Sequence, residues 1–394
     1  MLKTKIINFE WICDCNHIDP QEFETKKVDL ILEDIRQAAS QGYNYIIGIF
    51  LMDGFLILDP KTFLPNIQRI KEESAKMGIK GISLLSGQGE QFPDLDLPVY
   101  YFDYTLRMTY NGYKHCLDTL PNYNGSNNKF LFLGGAVARP NRVGLMSKFY
   151  DQSMLDNCEW TFFPPWSQED DEWCKNYLPH YSEQQYTDFL KFCDRNVDRV
   201  YENAKIFFGN YTSMGTDIVW YDILKTDFIK NPTYIDPVIF KITDFSIITE
   251  GINYWPWSTN DEFVTEKFWR TVANSHPFIF SGHPDQYRYI QYLGFKTFEE
   301  YMLIKDYALI EDEQARLNAV VENTRYFLEN QNQFKEQIQE DVAHNKELMI
   351  FYIDRQDALL HHLREDMNVD QEDIDFYLDR MGYEQLIRVP PDGI

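Results

Sequence analysis

Apolar, strand-like segments alternate with helical segments along most of the chain, and this alternation limits the fold more than any other feature. In the first third, the strand-like runs are 5–12, 43–52, 79–87 and 97–104, and the helical patterns are 28–40 and 63–78. The runs are almost continuously apolar and rich in β-branched residues, which is typical of strands buried on both faces of a parallel sheet. The sequence therefore predicts an α/β fold in which helices cover a parallel sheet.

The clearest break in the chain is the polar, turn-forming stretch PNYNGSNN at 121–128. Beyond it the alternation resumes, with strand-like runs at 129–135, 158–163, 238–251 and 276–282. A chain of 394 residues is long enough for two domains with a substantial core in each. We therefore expect one βαβ-type domain over 1–122, a second over 129–297, and an acidic helical extension over 298–394.

Acidic residues outnumber basic ones by 62 to 37, and the formal net charge is −25. A negative surface repels nucleic-acid backbones and anionic membranes, so nucleic acid is not the expected main partner, although a local basic groove remains compatible with this charge. The first residues do not resemble a signal peptide, and no apolar run approaches the roughly 20 residues of a membrane span. We expect a cytoplasmic protein with no membrane span.

Two short patterns could hold a metal ion, and neither is convincing. In CDCNH, Cys13, Cys15 and His17 share one face of an extended segment but lack a fourth ligand. The Asp-x-Asp pattern at 94–96 precedes a strand-like run instead of following one, which favours a solvated turn. We therefore expect reduced thiols and no metal site.

Cations and glycines stand at two strand-to-helix junctions of the second predicted domain. The dinucleotide pattern GxGxxG, the P-loop and the hydrolase elbow GxSxG are all absent from the sequence. The first junction, LGGAVARPNRVGL, contains Gly134, Gly135, Arg139 and Arg142, and the second, VTEK, contains Thr265, Glu266 and Lys267. Arginine, lysine and helix N–H groups suit a diphosphate, and a carboxylate can accept ribose hydroxyls. Each cation alone would also fit a surface ion pair.

The segment FSIITEG…FVTEKFWRTVANSHPFIFSG resembles the donor-binding segment of the α-1,3-fucosyltransferase-like glycosyltransferases. The segments KFLFLGGAVARPNRVGLMSKFY and SGHPDQYRYIQYLGFKTFEEY are similar to segments of relatives of that group, many of them viral. The resemblance covers 129–317 in patches, and TEK is its one sharp motif. It implies a GT-B fold, in which two Rossmann-like domains face each other and the C-terminal one holds a nucleotide sugar without metal.

When the family's residue roles are carried over by position, the resemblance implies that Glu266 holds the ribose and that Lys267 and Arg142 hold the diphosphate. Glu250 and Thr265 are expected in the same donor site. The lead-in GINYWPWSTNDEF departs from the family pattern, so the base of the nucleotide stays open.

The catalytic base does not carry over from the family. Asp53 and Glu90 each follow a strand-like run of the N-terminal domain and are the candidates, although structural turns are the commoner role of such residues.

We therefore expect a metal-independent glycosyltransferase that moves a sugar from a nucleotide sugar to an acceptor hydroxyl, with no other cofactor. If the protein is viral, the host cytoplasm is the expected location. Two alternatives stay open. One is a phage-type enzyme that glycosylates a hydroxylated DNA base, which a basic stripe on the N-terminal domain would favour. The other is a protein that binds a nucleotide sugar without turning it over.

Overall fold

A computed structural model describes most of the chain. The described residues are 2–9, 20–50, 60–86, 96–114, 117–119, 123, 125–134, 140–162, 172, 175, 178, 181–195, 235, 237–250 and 264–380. The chain divides into two compact units. The first unit comprises Met1–Met108, Asn253–Phe263 and Phe351–Ile394, and the second comprises Thr109–Ile252 and Val264–Ile350.

The first unit contains a four-stranded parallel sheet in the order β1-β2-β3-β4. Its elements are β1 (Thr4–Asn8), α1 (Pro20–Ser40), β2 (Tyr45–Phe50), α2 (Pro60–Lys76), β3 (Gly81–Ser86), β4 (Val99–Tyr101) and α3 (Tyr104–Tyr113), the last of which continues into the second unit. The strands and helices predicted for this part are confirmed within the described residues. Alternate strand residues enter two apolar clusters, with Ile46 and Leu84 in one and Ile47 and Leu85 in the other.

The second unit contains another four-stranded parallel sheet, in the order β6-β5-β7-β8. Its elements are β5 (Phe130–Leu133), α4 (Pro140–Asp151), β6 (Cys158–Thr161), α5 (Glu183–Arg195), α6 (Val238–Lys241), β7 (Phe245–Thr249), α7 (Glu266–Ala273), β8 (Phe278–Ser281), α8 (Pro284–Tyr292) and α9 (Glu313–Asn330). Phe130 and Phe132 pack on Phe149 of α4, whereas Leu131 packs with Phe240 of α6. Helices therefore cover both faces of this sheet, and the predicted α/β class is confirmed.

The predicted strand at 238–251 is wrong over its first part, which forms the short helix α6. Thr243 donates its hydroxyl proton to the backbone oxygen of Ile239, 2.7 Å away, and so helps to close that helical turn. The buried Asp244 follows, and the strand begins only at Phe245. Apolar content alone does not separate a buried helical turn from a buried strand.

The described part of the predicted linker is bound to the second unit. Asp244 accepts hydrogen bonds from the backbone N–H groups of Asn127 at 2.9 Å and Asn128 at 2.6 Å. Tyr123 donates to Gln331 at 2.8 Å. Along the chain, the first change from one unit to the other falls between Met108 and Thr109, so these turn residues belong to the second unit.

Residues 298–394 do not form a unit of their own. The helix α10 (Lys335–Glu365) begins in the second unit and ends in the first, and α11 (Gln371–Ile374) and a π-helix (Asp375–Arg380) follow it. The segment after α10 lies on β1: Lys5 pairs with Asp373 at 2.6 Å, and a β-bridge joins Thr4 to Val369. None of the helices in the described ranges is both long enough and apolar enough to cross a bilayer.

Candidate functional site

The strand order of the second sheet creates a point where the connections that leave two adjacent parallel strands lead to opposite sides of the sheet. From β5 the chain passes through α4 to β6, and from β7 it passes through α7 to β8, on the other side of the β5–β7 pair. In open α/β sheets, ligands bind in the crevice outside the carboxyl ends of strands at such a reversal. We call the carboxyl ends of β5 and β7, with the first turns of α4 and α7, the switch point.

Glycine is required at position 134 by a neighbouring strand. Gly134 follows β5 directly, and its N–H donates to the backbone oxygen of Thr161 at 2.7 Å. A Cβ atom at this position would lie 2.7 Å from that same oxygen and 3.1 Å from the ring of Phe162. The close approach of β6 therefore accounts for this glycine, which the sequence assigned to the donor site.

We expect Gly134→Ala to lower the free energy of unfolding by about 1–3 kcal/mol, because the added methyl group meets a backbone oxygen that cannot turn away. Urea denaturation measures this loss. Gly78→Ala is the control, since a Cβ atom there meets nothing within 4 Å and the cost is confined to its left-handed backbone, about 1 kcal/mol. Equal stability of Gly134→Ala and wild type would show that this position has room for a side chain.

The first turn of α4 contacts the end of β7. Asn141 is fully buried and donates from Nδ2 to the backbone oxygen of Glu250 at 3.0 Å. Arg142 follows it in the same turn and is 6% exposed. Gly135 and Arg139 lie outside the described residues. Of the two cations predicted at this junction, the structure thus describes Arg142 and brings it to the switch point.

Glu250 joins the two ends of the connection between β7 and α7. Its carboxylate is fully buried and accepts from the N–H of Thr265 at 2.9 Å and from the hydroxyl of Thr265 at 2.6 Å. Thr265 is the N-cap of α7, as the sequence predicted, and its Oγ1 accepts from the N–H of Lys267. Burial raises the pKa of Glu250, and the charge of Lys267 only partly offsets this effect.

Lys267 has partners within the site. Its Nζ donates to Thr265 Oγ1 at 3.0 Å and to Glu266 Oε1 at 3.0 Å, and its side chain is 16% exposed. A lysine in the first turn of a helix opposes the macrodipole, and here the neighbouring carboxylates compensate for that position. Burial disfavours ionisation of Glu266, but the charges of Lys267 and Arg270 outweigh it and lower the pKa of Glu266 to about 2.

Two buried polar groups at the switch point were missed by the sequence analysis. Asn141 Oδ1 and Thr249 Oγ1 have no hydrogen-bond partner among the described residues, although both side chains are buried. Buried polar atoms are normally paired with protein, water or a ligand. The only sequence signals were positional, since Asn141 precedes Arg142 and Thr249 ends an apolar run.

The remaining predicted residues divide into two groups. Asp53 and Glu90 lie outside the described residues, as do Cys13, Cys15, His17 and Asp94. Asp96 is exposed before β4 and pairs with Lys71 at 2.8 Å, which agrees with a solvated turn. Within the described ranges, no three His, Cys, Asp or Glu side chains are grouped so that they could hold a metal ion.

Comparisons of the chain with models of protein families, with curated proteins and with solved structures found no match. The switch point is therefore the feature of this chain that indicates a function.

Proposed function

We propose that the protein transfers a sugar from a nucleotide-sugar donor to an acceptor hydroxyl without a metal ion, with a GT-B-like arrangement of its two units. The observation that carries the proposal is the composition of the switch point. Arg142 from α4 stands there with Glu250 after β7 and with Glu266 and Lys267 from the first turn of α7. Asn141 and Thr249 add buried oxygen atoms that have no hydrogen-bond partner among the described residues. Cations, carboxylates and helix N–H groups together suit a nucleotide diphosphate.

An exchange of partners would let Lys267 and Glu266 act on the donor together. In the structure, Lys267 Nζ and Glu266 Oε1 form an ion pair at 3.0 Å. A diphosphate would attract Lys267 Nζ away from Glu266, and the Glu266 carboxylate, 28% exposed, would then accept the ribose hydroxyls. Each group thus gains a ligand partner at the moment it loses its internal one.

The same cations would assist bond breaking. During transfer, the bond between the sugar carbon and the diphosphate oxygen breaks, and negative charge develops on the leaving diphosphate. Lys267, Arg142 and the N–H groups at the start of α7 would stabilise that charge. The acceptor hydroxyl loses its proton to a carboxylate of the first unit, for which Asp53 and Glu90 are the candidates.

We expect at least one of GDP-, UDP-, CMP- and dTDP-sugars to raise the melting temperature of the protein. A ligand at a hundred times its Kd stabilises the folded state by about 2.7 kcal/mol, which a thermal-shift assay detects readily. The shift should be the same in magnesium and in excess EDTA. A donor that binds only with a divalent metal would contradict the metal-independent mechanism, and the absence of any shift would contradict the donor site.

Turnover of the bound donor distinguishes an enzyme from a binding protein. Slow release of free sugar from the nucleotide, measured without acceptor, supports the transferase. A donor that binds tightly and stays intact, with or without candidate acceptors, supports the non-catalytic alternative.

A further inference from the structure

A cavity of about 610 Å³ lies in the second unit between α10 and the turn that follows α7. Tyr123, Ser275, Gln339, Ala343 and Glu347 are among its lining residues, and Ala343 and Glu347 are exposed at its mouth. Its volume lies within the range of small-molecule sites. The eight residues of α7, which rise about 1.5 Å each, separate this cavity from the switch point.

Ser275 occupies a backbone conformation that favours glycine. Its φ angle is +51°, and it closes α7 through hydrogen bonds from Ser275 N to Val272 O at 2.9 Å and from His276 N to Thr271 O at 3.1 Å. The same motif ends α1, α2 and α8, where the equivalent residues are Gly42, Gly78 and Gly294. A residue with a Cβ atom is sterically disfavoured in this left-handed conformation, whereas glycine is not.

Among the described residues, the hydroxyl of Ser275 has no hydrogen-bond partner that would offset the cost of this backbone conformation. Ser275 is 3% exposed and lines the cavity, yet its hydroxyl forms no hydrogen bond with any residue that the structure describes. The hydroxyl oxygen itself is not among the buried unpaired atoms of the described residues, so it is open to the cavity and can bond a molecule there. A ligand in the cavity would give this hydroxyl the partner that it lacks among the described residues.

We propose that this cavity binds an uncharged, polyhydroxylated molecule of monosaccharide to disaccharide size. The carboxylate of Glu347 and the amide oxygen of Gln339 accept hydrogen bonds from hydroxyl groups, and the Ser275 hydroxyl can donate or accept. The Tyr123 ring and the side chains of Val342 and Ile350 offer apolar surface to the C–H faces of a sugar ring.

The charges of the lining also favour an uncharged ligand. Lys346 and Glu347 are adjacent on α10 and carry opposite charges, and Lys346 Nζ donates to the backbone oxygen of Leu117 at 2.6 Å. Their charges sum to zero at the cavity, so neither a phosphate nor a cation is preferred there. The proposal is independent of the donor site, since the residues involved are different.

The test is saturation-transfer NMR and calorimetry of the full chain with methyl glucoside, N-acetylglucosamine, maltose and cellobiose at millimolar concentration. We expect at least one of these sugars to bind, and Ser275→Gly to weaken its binding about three- to tenfold through the loss of one hydrogen bond. The same substitution should raise the melting temperature, because glycine relieves the left-handed conformation.

Ser153→Gly is the matched control. Ser153 has a φ angle of +55° and closes α4 by the same motif, with Ser153 N bonded to Tyr150 O at 3.1 Å and Met154 N to Phe149 O at 2.9 Å. It is exposed and lies away from the cavity lining. This variant should gain thermal stability as Ser275→Gly does, while sugar binding stays at the wild-type level.

Ala343→Trp tests the cavity in a second way, because it fills the mouth from an exposed helix position and should abolish sugar binding without unfolding the protein. Lys267→Met, at the switch point, should leave sugar binding unchanged. Failure of all four sugars to bind, or equal binding by wild type, Ser275→Gly and Ala343→Trp, would overturn the proposal. Neither result would affect the proposed donor site.

Discussion

Replacing Asp244 with alanine is expected to lower the free energy of unfolding by about 3 kcal/mol or more. The carboxylate is 1% exposed and accepts three hydrogen bonds, from Asn127 N at 2.9 Å, Asn128 N at 2.6 Å and Gln331 Nε2 at 3.0 Å. Alanine would leave all three donors without this acceptor. Each hydrogen bond to a charged group contributes about 1.5–3 kcal/mol, and part of the loss is recovered where water enters.

Urea denaturation measures the loss, and limited proteolysis locates it. In Asp244→Ala, cleavage within 125–128 should become faster than in wild type, because this carboxylate, next to β7, binds both the turn and Gln331, the residue that follows α9. Asn127→Ala is the matched control: it removes an exposed side-chain contact to Lys241 but keeps the backbone N–H that Asp244 binds. That variant should lose less than about 1 kcal/mol. A loss below 1 kcal/mol in Asp244→Ala itself would show that the turn does not depend on the carboxylate.

Lys267→Met is expected to weaken both the folded state and the binding of the nucleotide sugar. Without ligand, Glu266 loses its 3.0 Å partner and keeps the charge of Arg270, so we expect a loss of about 1–3 kcal/mol in unfolding free energy. Donor affinity should fall by about 1.5–3 kcal/mol, or roughly tenfold to 150-fold, the range of a charge-assisted hydrogen bond to phosphate. Calorimetric titration of the donor found by thermal shift measures the second effect.

The surface ion pair between Lys76 and Glu73 provides the control for this variant. Lys76 Nζ lies 2.6 Å from Glu73 on the surface of α2, where its side chain is 67% exposed. Because exposed ion pairs contribute little, Lys76→Met should change neither stability nor donor affinity appreciably. Equal donor affinity in Lys267→Met and wild type would remove the diphosphate from α7 and leave Lys267 with a structural role alone.

The pair Lys267–Glu266 also makes the stability of the folded protein depend on pH in the acid range. The pKa of Glu266 is lowered from 4.5 to about 2 in the folded protein, so the unfolded chain binds a proton there first as the pH falls. The contribution of ionised Glu266 to the free energy of unfolding is fully present above pH 4.5 and is lost as the pH falls towards 2. Lys267→Met and Glu266→Gln should both reduce this acid-side loss. Glu250, whose pKa is raised by burial, contributes in the opposite direction and remains in both variants.

Local patterns in the sequence were sufficient to predict the parallel strands, the helices between them and the N-cap at Thr265. These features depend on a residue and its near neighbours, because burial on both faces favours continuous apolar runs and a threonine oxygen caps the helix that follows it. The error at 238–251 has the same origin, since a short apolar run is compatible with both a buried strand and a buried helical turn.

The candidate site, in contrast, was decided by contacts between residues far apart in the chain. The order β6-β5-β7-β8 places β5 beside β7, and this pairing brings Asn141 within 3.0 Å of the backbone of Glu250. The requirement for glycine at 134 arises from the backbone of β6, and the turn at 127–128 is held by Asp244. Sequence periodicity reports which residues are buried but not which strand lies next to which. The tertiary structure decided strand order, because it depends on packing summed over the whole sheet.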